Sequence, residues 1–132
     1  MADNIIFVDN SAEISARIKA AVKRALVRIG MQAETFAKKL CVVDTGRLRN
    51  SITHKVQGDA AYIGTNVEYG PYIELGTGKH YPGGRKTPWA YKDEKGRWHM
   101  THGQRAKPFL KPAAANHAQT YKNIVEDEMR NG

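Results

Sequence analysis

At 132 residues, 41% hydrophobic and 26% charged, the chain has the composition of a soluble globular protein with room for one domain and a modest core. Its formal net charge of +8 points to an anionic neighbour: nucleic acid, a membrane surface or an acidic protein face. A single cysteine, Cys41, excludes an internal disulfide and every paired-cysteine metal or redox motif, and no apolar run reaches the roughly 18 residues that a membrane span needs.

The N-terminal stretch M-A-D-N-I-I-F-V-D lacks the basic region of a secretory leader, so neither export by that route nor membrane insertion is expected. Within it, Asn4 to Val8 reads as a short terminal strand. Asn10 and Glu13 have capping-box spacing. Apolar positions then recur at Ile14, Ile18, Val22, Ala25 or Leu26, Ile29, Ala33, Phe36 and Leu40, which predicts a helix from Ser11 to Leu40, about 45 Å long. Gly30 lies near its middle, costs about 1 kcal/mol relative to alanine, and marks a place for a bend or break. The outer face carries Arg17, Lys19, Lys23, Arg24, Arg28, Lys38 and Lys39, either solvated or laid against something acidic.

Asp44 and Thr45 have turn or cap chemistry, and Gly46 to Asn50 fits a helical turn that reverses the chain. Ser51 to Gln57 alternates Ile52, His54 and Val56 against polar residues, a half-buried strand. Gly58-Asp59 is a two-residue hairpin signal, and Ala60 to Asn66 completes the pair with Ala61, Ile63 and Thr65 on one face and Tyr62 on the other. His54, on the apolar side, reads as a core or edge histidine with a satisfied hydrogen bond.

The stretch Thr65 to Gly78, T-N-V-E-Y-G-P-Y-I-E-L-G-T-G, predicts a short helix with Pro71 in its first turn and Gly76 ending it. Tyr69, Tyr72, Ile73 and Leu75 would dock that helix on a core, with Glu68 and Glu74 facing water or a basic neighbour. Gly76 to Thr87 is rich in glycine and bases and reads as a flexible excursion. Its Gly-Thr-Gly-Lys is not a phosphate loop. The motif requires glycine where Ile73 stands, and Ser or Thr where His80 stands.

Trp89-Ala-Tyr-Lys92 and Arg97-Trp-His-Met100 flank Asp93-Glu-Lys-Gly96 and predict a hairpin. A four-residue loop sets Lys92 against Arg97, Tyr91 against Trp98 and Trp89 against Met100, giving one aromatic and sulfur-bearing face. That face either covers the domain's own core or anchors a contact between subunits or partners, with Trp89, Tyr91, Trp98, Met100 and Tyr72 as the candidate interface. From Lys79 to Lys107 eight basic residues stand against two acidic ones, a local excess of +6. Lys79, Arg85, Lys86, Lys92 and Arg97 are the candidate surface toward DNA or an acidic partner. His80, His99 and His102 are the nearest approach to a metal or nuclease site, but a recognisable ligand spacing and a general base beside them are missing. Neither a catalytic constellation nor a cofactor or metal motif is read from the chain.

Lys107 to Pro112 is extended by its prolines, Pro112 can open a helix, and Ala114, Ala118, Tyr121, Val125 and Met129 mark its apolar stripe. Glu126, Asp127 and Glu128 oppose the dipole at that helix's C-terminal end. They call for a basic neighbour, either the first helix or an adjacent copy.

Three blocks in order, Val43-D-T-G-R-L-R-N-S-Ile52, Ile63-G-T-N-V-E-Y-G-P-Y-I-E-L-G-T-Gly78 and Ala106-K-P-F-L-K-P-Ala113, resemble the tail-component family of long-tailed bacteriophages, whose members are described as neck, tail-completion or head-tail joining proteins. The resemblance implies an α+β fold: a long N-terminal helix and a C-terminal helix packed on a small antiparallel sheet, all within one domain over residues 1–132, with residues 76–101 a protruding basic loop and aromatic hairpin. It also implies a non-enzymatic virion protein assembled in the host cytoplasm. Its partners would be other copies of itself in a ring, the head connector, and tail tube or terminator proteins, with possible contact to the phage DNA and none to a membrane. The alternatives are a sequence-independent nucleic-acid-binding module and, more remotely, a small histidine-based nuclease.

Overall fold

The computed structural model describes residues 10–43 and 46–131. Its elements in chain order are α1 (Ser11–Leu40), α2 (Arg47–Ser51), β1 (Thr53–Gln57), β2 (Ala60–Gly64), α3 (Gly70–Leu75), a single 3₁₀ turn at Gly78–His80, β3 (Trp89–Lys92), β4 (Trp98–Thr101), α4 (Leu110–Ala115) and α5 (Ala118–Asn131). The fold is α+β, with two separate antiparallel strand pairs, β1-β2 and β3-β4. The expected strand at Asn4 to Val8 and the turn residues Asp44 and Thr45 lie outside the described residues.

The long helix forms as its periodicity predicts, with Ala25 and Ala33 of the expected line buried and Val22, Leu26, Ile29 and Phe36 half-buried beside them. Ala21, Ala25, Gly30, Ala33 and Ala37 face inward, while Ile14, Ile18 and Leu40 are exposed. Small side chains let β1-β2, α4 and α5 approach the α1 backbone closely, and Ser11 to Ala20 are all exposed. The capping box does not form. Asn10 sits at φ −97°, ψ 13°, away from the extended geometry that a capping side chain needs, and Glu13 pairs with Arg17 at 2.9 Å.

Gly30 neither ends nor interrupts α1. A Cβ there would stand 2.9 Å from Cδ2 of His54, so the glycine makes room for the imidazole lying across it. His54 in turn bonds Glu34 through Nδ1 at 3.2 Å, the satisfied partner expected of it. β1 and β2 pair in the predicted register about Gly58-Asp59, with His54 opposite Ile63 and Val56 opposite Ala61.

One core cluster gathers Ala37, Cys41, Leu48, Ile52, Val67, Phe109 and Ala113, with Phe36, Ile63, Tyr69, Ile73 and Leu110 packed around it. Phe109 and Ile52 are its largest fully buried side chains, each worth about 1.5–3 kcal/mol of apolar burial. Leu48 and Ile52 come from the first of the three sequence blocks, Val67 and Ile73 from the second, and Phe109 and Ala113 from the third. Burial also pushes the Cys41 thiol pKa upward.

α3 has Pro71 in its first turn and ends at Gly76, as read. Tyr69 and Ile73, four residues apart, dock on the core. Tyr72 and Leu75 do not: six residues of helix present one side inward, and these two point out, 62% and 52% exposed. Glu74 turns from the expected water or basic neighbour to the start of α4. Its carboxylate accepts the backbone N–H groups of Phe109 at 2.7 Å, Leu110 at 2.9 Å and Lys111 at 2.8 Å.

The tail is two helices, not one. After the break at Asn116 and His117, the inward line is Ala113, His117, Tyr121, Ile124 and Glu128, whereas Ala114, Ala118, Val125 and Met129 of the expected stripe are exposed. The His117 ring stacks on Phe36 with centroids 3.6 Å apart, and the Tyr121 hydroxyl donates to the Ala113 carbonyl across the break. α5 runs antiparallel along α1. Arg24 meets Glu128 at 3.0 Å, and Arg28 meets Asp127 at 2.7 Å and Glu128 at 3.2 Å, so the acidic end finds its basic neighbour on the first helix. These bonds raise the Arg28 pKa further, Asp127 first.

Candidate interaction surface

Between α3 and α4 the chain makes an excursion whose two ends are joined. The Thr77 N–H donates to the Gln104 carbonyl at 2.9 Å, the Lys79 N–H to His102 at 3.0 Å, and the Lys107 N–H to Ile73 at 2.8 Å. The Gln104 N–H bonds Thr77 Oγ1 at 2.8 Å. Glycine is required where these strands cross: a Cβ at Gly78, whose φ is +62°, would strike the His102 carbonyl. No local pattern announces this ladder, because its two sides are some 25 residues apart in the chain.

From that base rises β3-β4, in a register one residue away from the expected one. Trp89 pairs with Thr101, Ala90 with Met100, Tyr91 with His99 and Lys92 with Trp98. The cause is the turn. Gly96 N–H donates to the Asp93 carbonyl at 3.0 Å, Gly96 takes φ +79°, and Asp93 N–H reaches the Arg97 carbonyl at 2.8 Å. A type I turn followed by a left-handed glycine places one more residue in the loop than a plain four-residue reversal. A slip of one flips every side chain of one strand relative to the other. The single aromatic face is therefore split, with Trp89, Tyr91 and His99 on one side and Trp98, Met100 and Lys92 on the other.

Asp93 organises the turn. Its carboxylate accepts Lys95 N–H at 2.9 Å, Arg97 N–H at 2.8 Å, Arg97 Nε at 3.2 Å and His99 Nε2 at 2.8 Å. The His99 bond, then those from Arg97 and Lys95, holds its pKa below the ordinary aspartate range. An aspartate opening a turn with glycine three residues on is the signal that could have identified it.

Both faces of the hairpin are open to solvent. Trp98 is 68% and Met100 67% exposed, Tyr91 is exposed and stacked on His99 at 5.3 Å, and Trp89 is half-buried beneath the Arg85 guanidinium at 5.8 Å. Lys92 Nζ lies 5.6 Å from the Trp98 ring. Arg85 also reaches Thr87 and Pro88, Lys86 reaches the Tyr81 carbonyl, and Arg97 is held by Asp93. The tip, at Glu94, borders the body of the domain across a cleft of about 430 Å³ lined by Val42, Arg47, Leu48, Tyr69 and Ile73. Tyr72 belongs to α3 and is exposed there.

His99 is committed to Asp93, while His80 and His102 lie at the ladder, and among the described residues no group of three or more His, Cys, Asp or Glu is arranged to hold a metal ion. No helix of the described residues is long and apolar enough to cross a membrane.

The family described as "Bacteriophage HK97-gp10, putative tail-component" matches residues 7–76, from the start of the long helix through α3. No curated protein and no solved structure matches the chain significantly. The match covers more than half of the chain, including the helix, the β1-β2 hairpin and the Pro71 turn that enclose the core, and the chain belongs to this bacteriophage tail-component family.

Proposed function

We propose that this tail component completes or joins the tail at the head connector, as one subunit of a ring around the DNA channel, and that it works by assembly rather than catalysis. The observation that carries this reading is the hairpin. It is tethered at its base and displays a tryptophan and a methionine, each about two-thirds exposed, on one face and a tyrosine on the other. Large exposed apolar side chains on a projecting element mark contact surfaces, and Trp and Tyr supply much of the energy of such contacts. Trp98, Met100, Tyr91, Trp89 and Tyr72 are the residues offered to neighbours. A projecting element that meets a different patch on the next copy makes a heterologous contact, which closes into a ring when the rotation permits. The neighbours would be further copies, the connector, and tail tube or terminator proteins, in a virion assembled in the host cytoplasm. The basic surface at Lys79, Arg85, Lys86, Lys92 and Arg97 would face DNA or an acidic partner.

The test pairs light scattering on the purified chain with imaging of particles carrying Trp98→Ala and Met100→Ala. Folded variants that leave heads and tails unjoined support the reading. Normal particles from the double variant, or substrate turnover by the isolated chain, would overturn it. The local excess of +6 favours one rival, a free nucleic-acid-binding module. Tight duplex binding by a monomer at physiological salt, without any self-association, would establish that module instead.

A further inference from the structure

The ladder at the base of the hairpin brings together side chains that the sequence separates. Lys79 and His80 stand on one side of it, His102 and Arg105 on the other, and bonds from Thr77 to Gln104 and from Lys79 to His102 fix their relation. Glycine at Gly78 and Gly103 lets the two backbones touch, since a Cβ at either would strike a carbonyl of the opposite segment. The four groups are all cationic or able to become so. His80 is half-buried, and its pKa is pushed down by desolvation first and then by Arg105, Lys79 and His102, with no carboxylate among the charges acting on it.

We propose that Lys79, His80, His102 and Arg105 form a binding site for the phosphate backbone of duplex DNA, built by the ladder. The proposal rests on that part of the functional reading in which the basic surface meets an anionic partner, and it is independent of ring formation. Two observations favour a nucleic acid over an acidic protein. Within residues 79–107 only two carboxylates occur, and Asp93 is consumed by its own turn. The excess of base also continues along the sequence on both sides of the cluster, through Arg85 and Lys86 and through Lys107 and Lys111. Duplex DNA offers a charge about every 1.7 Å along its axis, which suits many bases rather than one. Arginine, lysine and protonated histidine all donate to phosphate oxygens, whatever the base sequence.

Protonation sets a direction for the affinity. A phosphate beside His80 favours its charged form, so binding takes up a proton there and strengthens as pH falls. Because His80 starts below the ordinary histidine value of 6.5, that gain is complete only below that pH.

The experiment is fluorescence anisotropy of the full chain with a short duplex, titrated with salt above and below pH of about 6.5. The variants are Lys79→Gln with Arg105→Gln, His80→Gln with His102→Gln, and Lys19→Gln with Lys23→Gln on α1 as a charge-matched control, each checked for an unchanged urea midpoint. Removing Lys79 and Arg105 should lower the slope of log affinity against log salt by about 1.8, roughly 0.9 for each lost phosphate contact, and the α1 pair should lower it far less. The histidine pair should abolish the gain at low pH and leave binding at high pH unchanged. Absence of duplex binding by the parent even at low salt, an equal loss of slope in the α1 control, or tighter binding to poly-glutamate than to DNA would each overturn the site. Failure of ring assembly is read separately, by light scattering.

Discussion

The carboxylate of Glu74, in α3, holds the backbone of Phe109, whose ring is the largest fully buried side chain of the core. One side chain thus joins the second sequence block to the third. It takes the first N–H groups of α4, which have no partner within their own helix, and thereby sets the depth at which the phenyl ring enters between α1, α2 and α3.

Glu74→Ala leaves those N–H donors without their acceptor, next to the core. Hydrogen bonds to a charged group are worth about 1.5–3 kcal/mol and an orphaned buried donor costs a similar amount, so the variant should lose about 2–3 kcal/mol in urea unfolding. Glu74→Gln, which keeps one carbonyl oxygen, should lose less. A change below about 0.5 kcal/mol would show that α4 does not depend on this cap.

Gly30→Ala tests the packing of His54 over α1. The substitution gains about 1 kcal/mol of helix propensity but places a methyl 2.9 Å from the imidazole, and overpacking costs about 1–3 kcal/mol. A net loss of about 1 kcal/mol is expected. With His54→Ala in the same chain the overpacking cost should vanish and leave only the propensity gain, so the double-mutant cycle should show coupling of about 2 kcal/mol. Additive effects would mean that the two positions do not oppose each other.

Acid should weaken the fold through Glu34. Burial works to raise its carboxyl pKa, but the hydrogen bonds with His54 and Lys38 prevail and the net shift is downward from 4.5. A carboxyl with a depressed folded pKa contributes stability that is present above the unfolded value and lost as pH falls through the folded one. The urea midpoint should therefore drop below pH 4.5, and Glu34→Gln should flatten that limb while lowering stability near neutrality. An identical acid limb in the variant would assign the loss to other carboxylates.

Asp93→Ala should loosen the hairpin and leave the core intact. Four bonds end on that carboxylate, all from residues 95–99. Faster amide exchange over 93–99 and altered tryptophan emission are expected, with the global unfolding midpoint unchanged. Protection of those amides at parent levels would show that strand pairing alone holds the register.

What could be read from the chain was local. Helix period, the Gly58-Asp59 turn and the Pro71 to Gly76 helix each depend on residues within a few positions of one another, and each formed as read. The basic neighbour of Asp127 and Glu128 was also foreseen, because a misplaced charge at a helix end demands one. Glu74 was misjudged because its partners lie 35 to 37 residues away. The middle of the α1 line is inward as its period predicts, while its ends at Ile14, Ile18 and Leu40 are exposed and Ala21, Gly30 and Ala37 join it, because alanine and glycine weigh little as hydrophobes yet are what close packing between elements selects. The hairpin faces were exchanged because a single bulged glycine, Gly96, decides between two registers that the alternation of side chains permits equally.

The joined ends of the excursion give it a freedom that the rest of the molecule lacks. Since Thr77 and Gln104 meet at the base, whatever sequence spans the gap leaves and re-enters the body at the same two points, and Phe109 is delivered to its place regardless. Insertions, deletions or wholesale exchange of the arm between those two points need not disturb the scaffold that carries it.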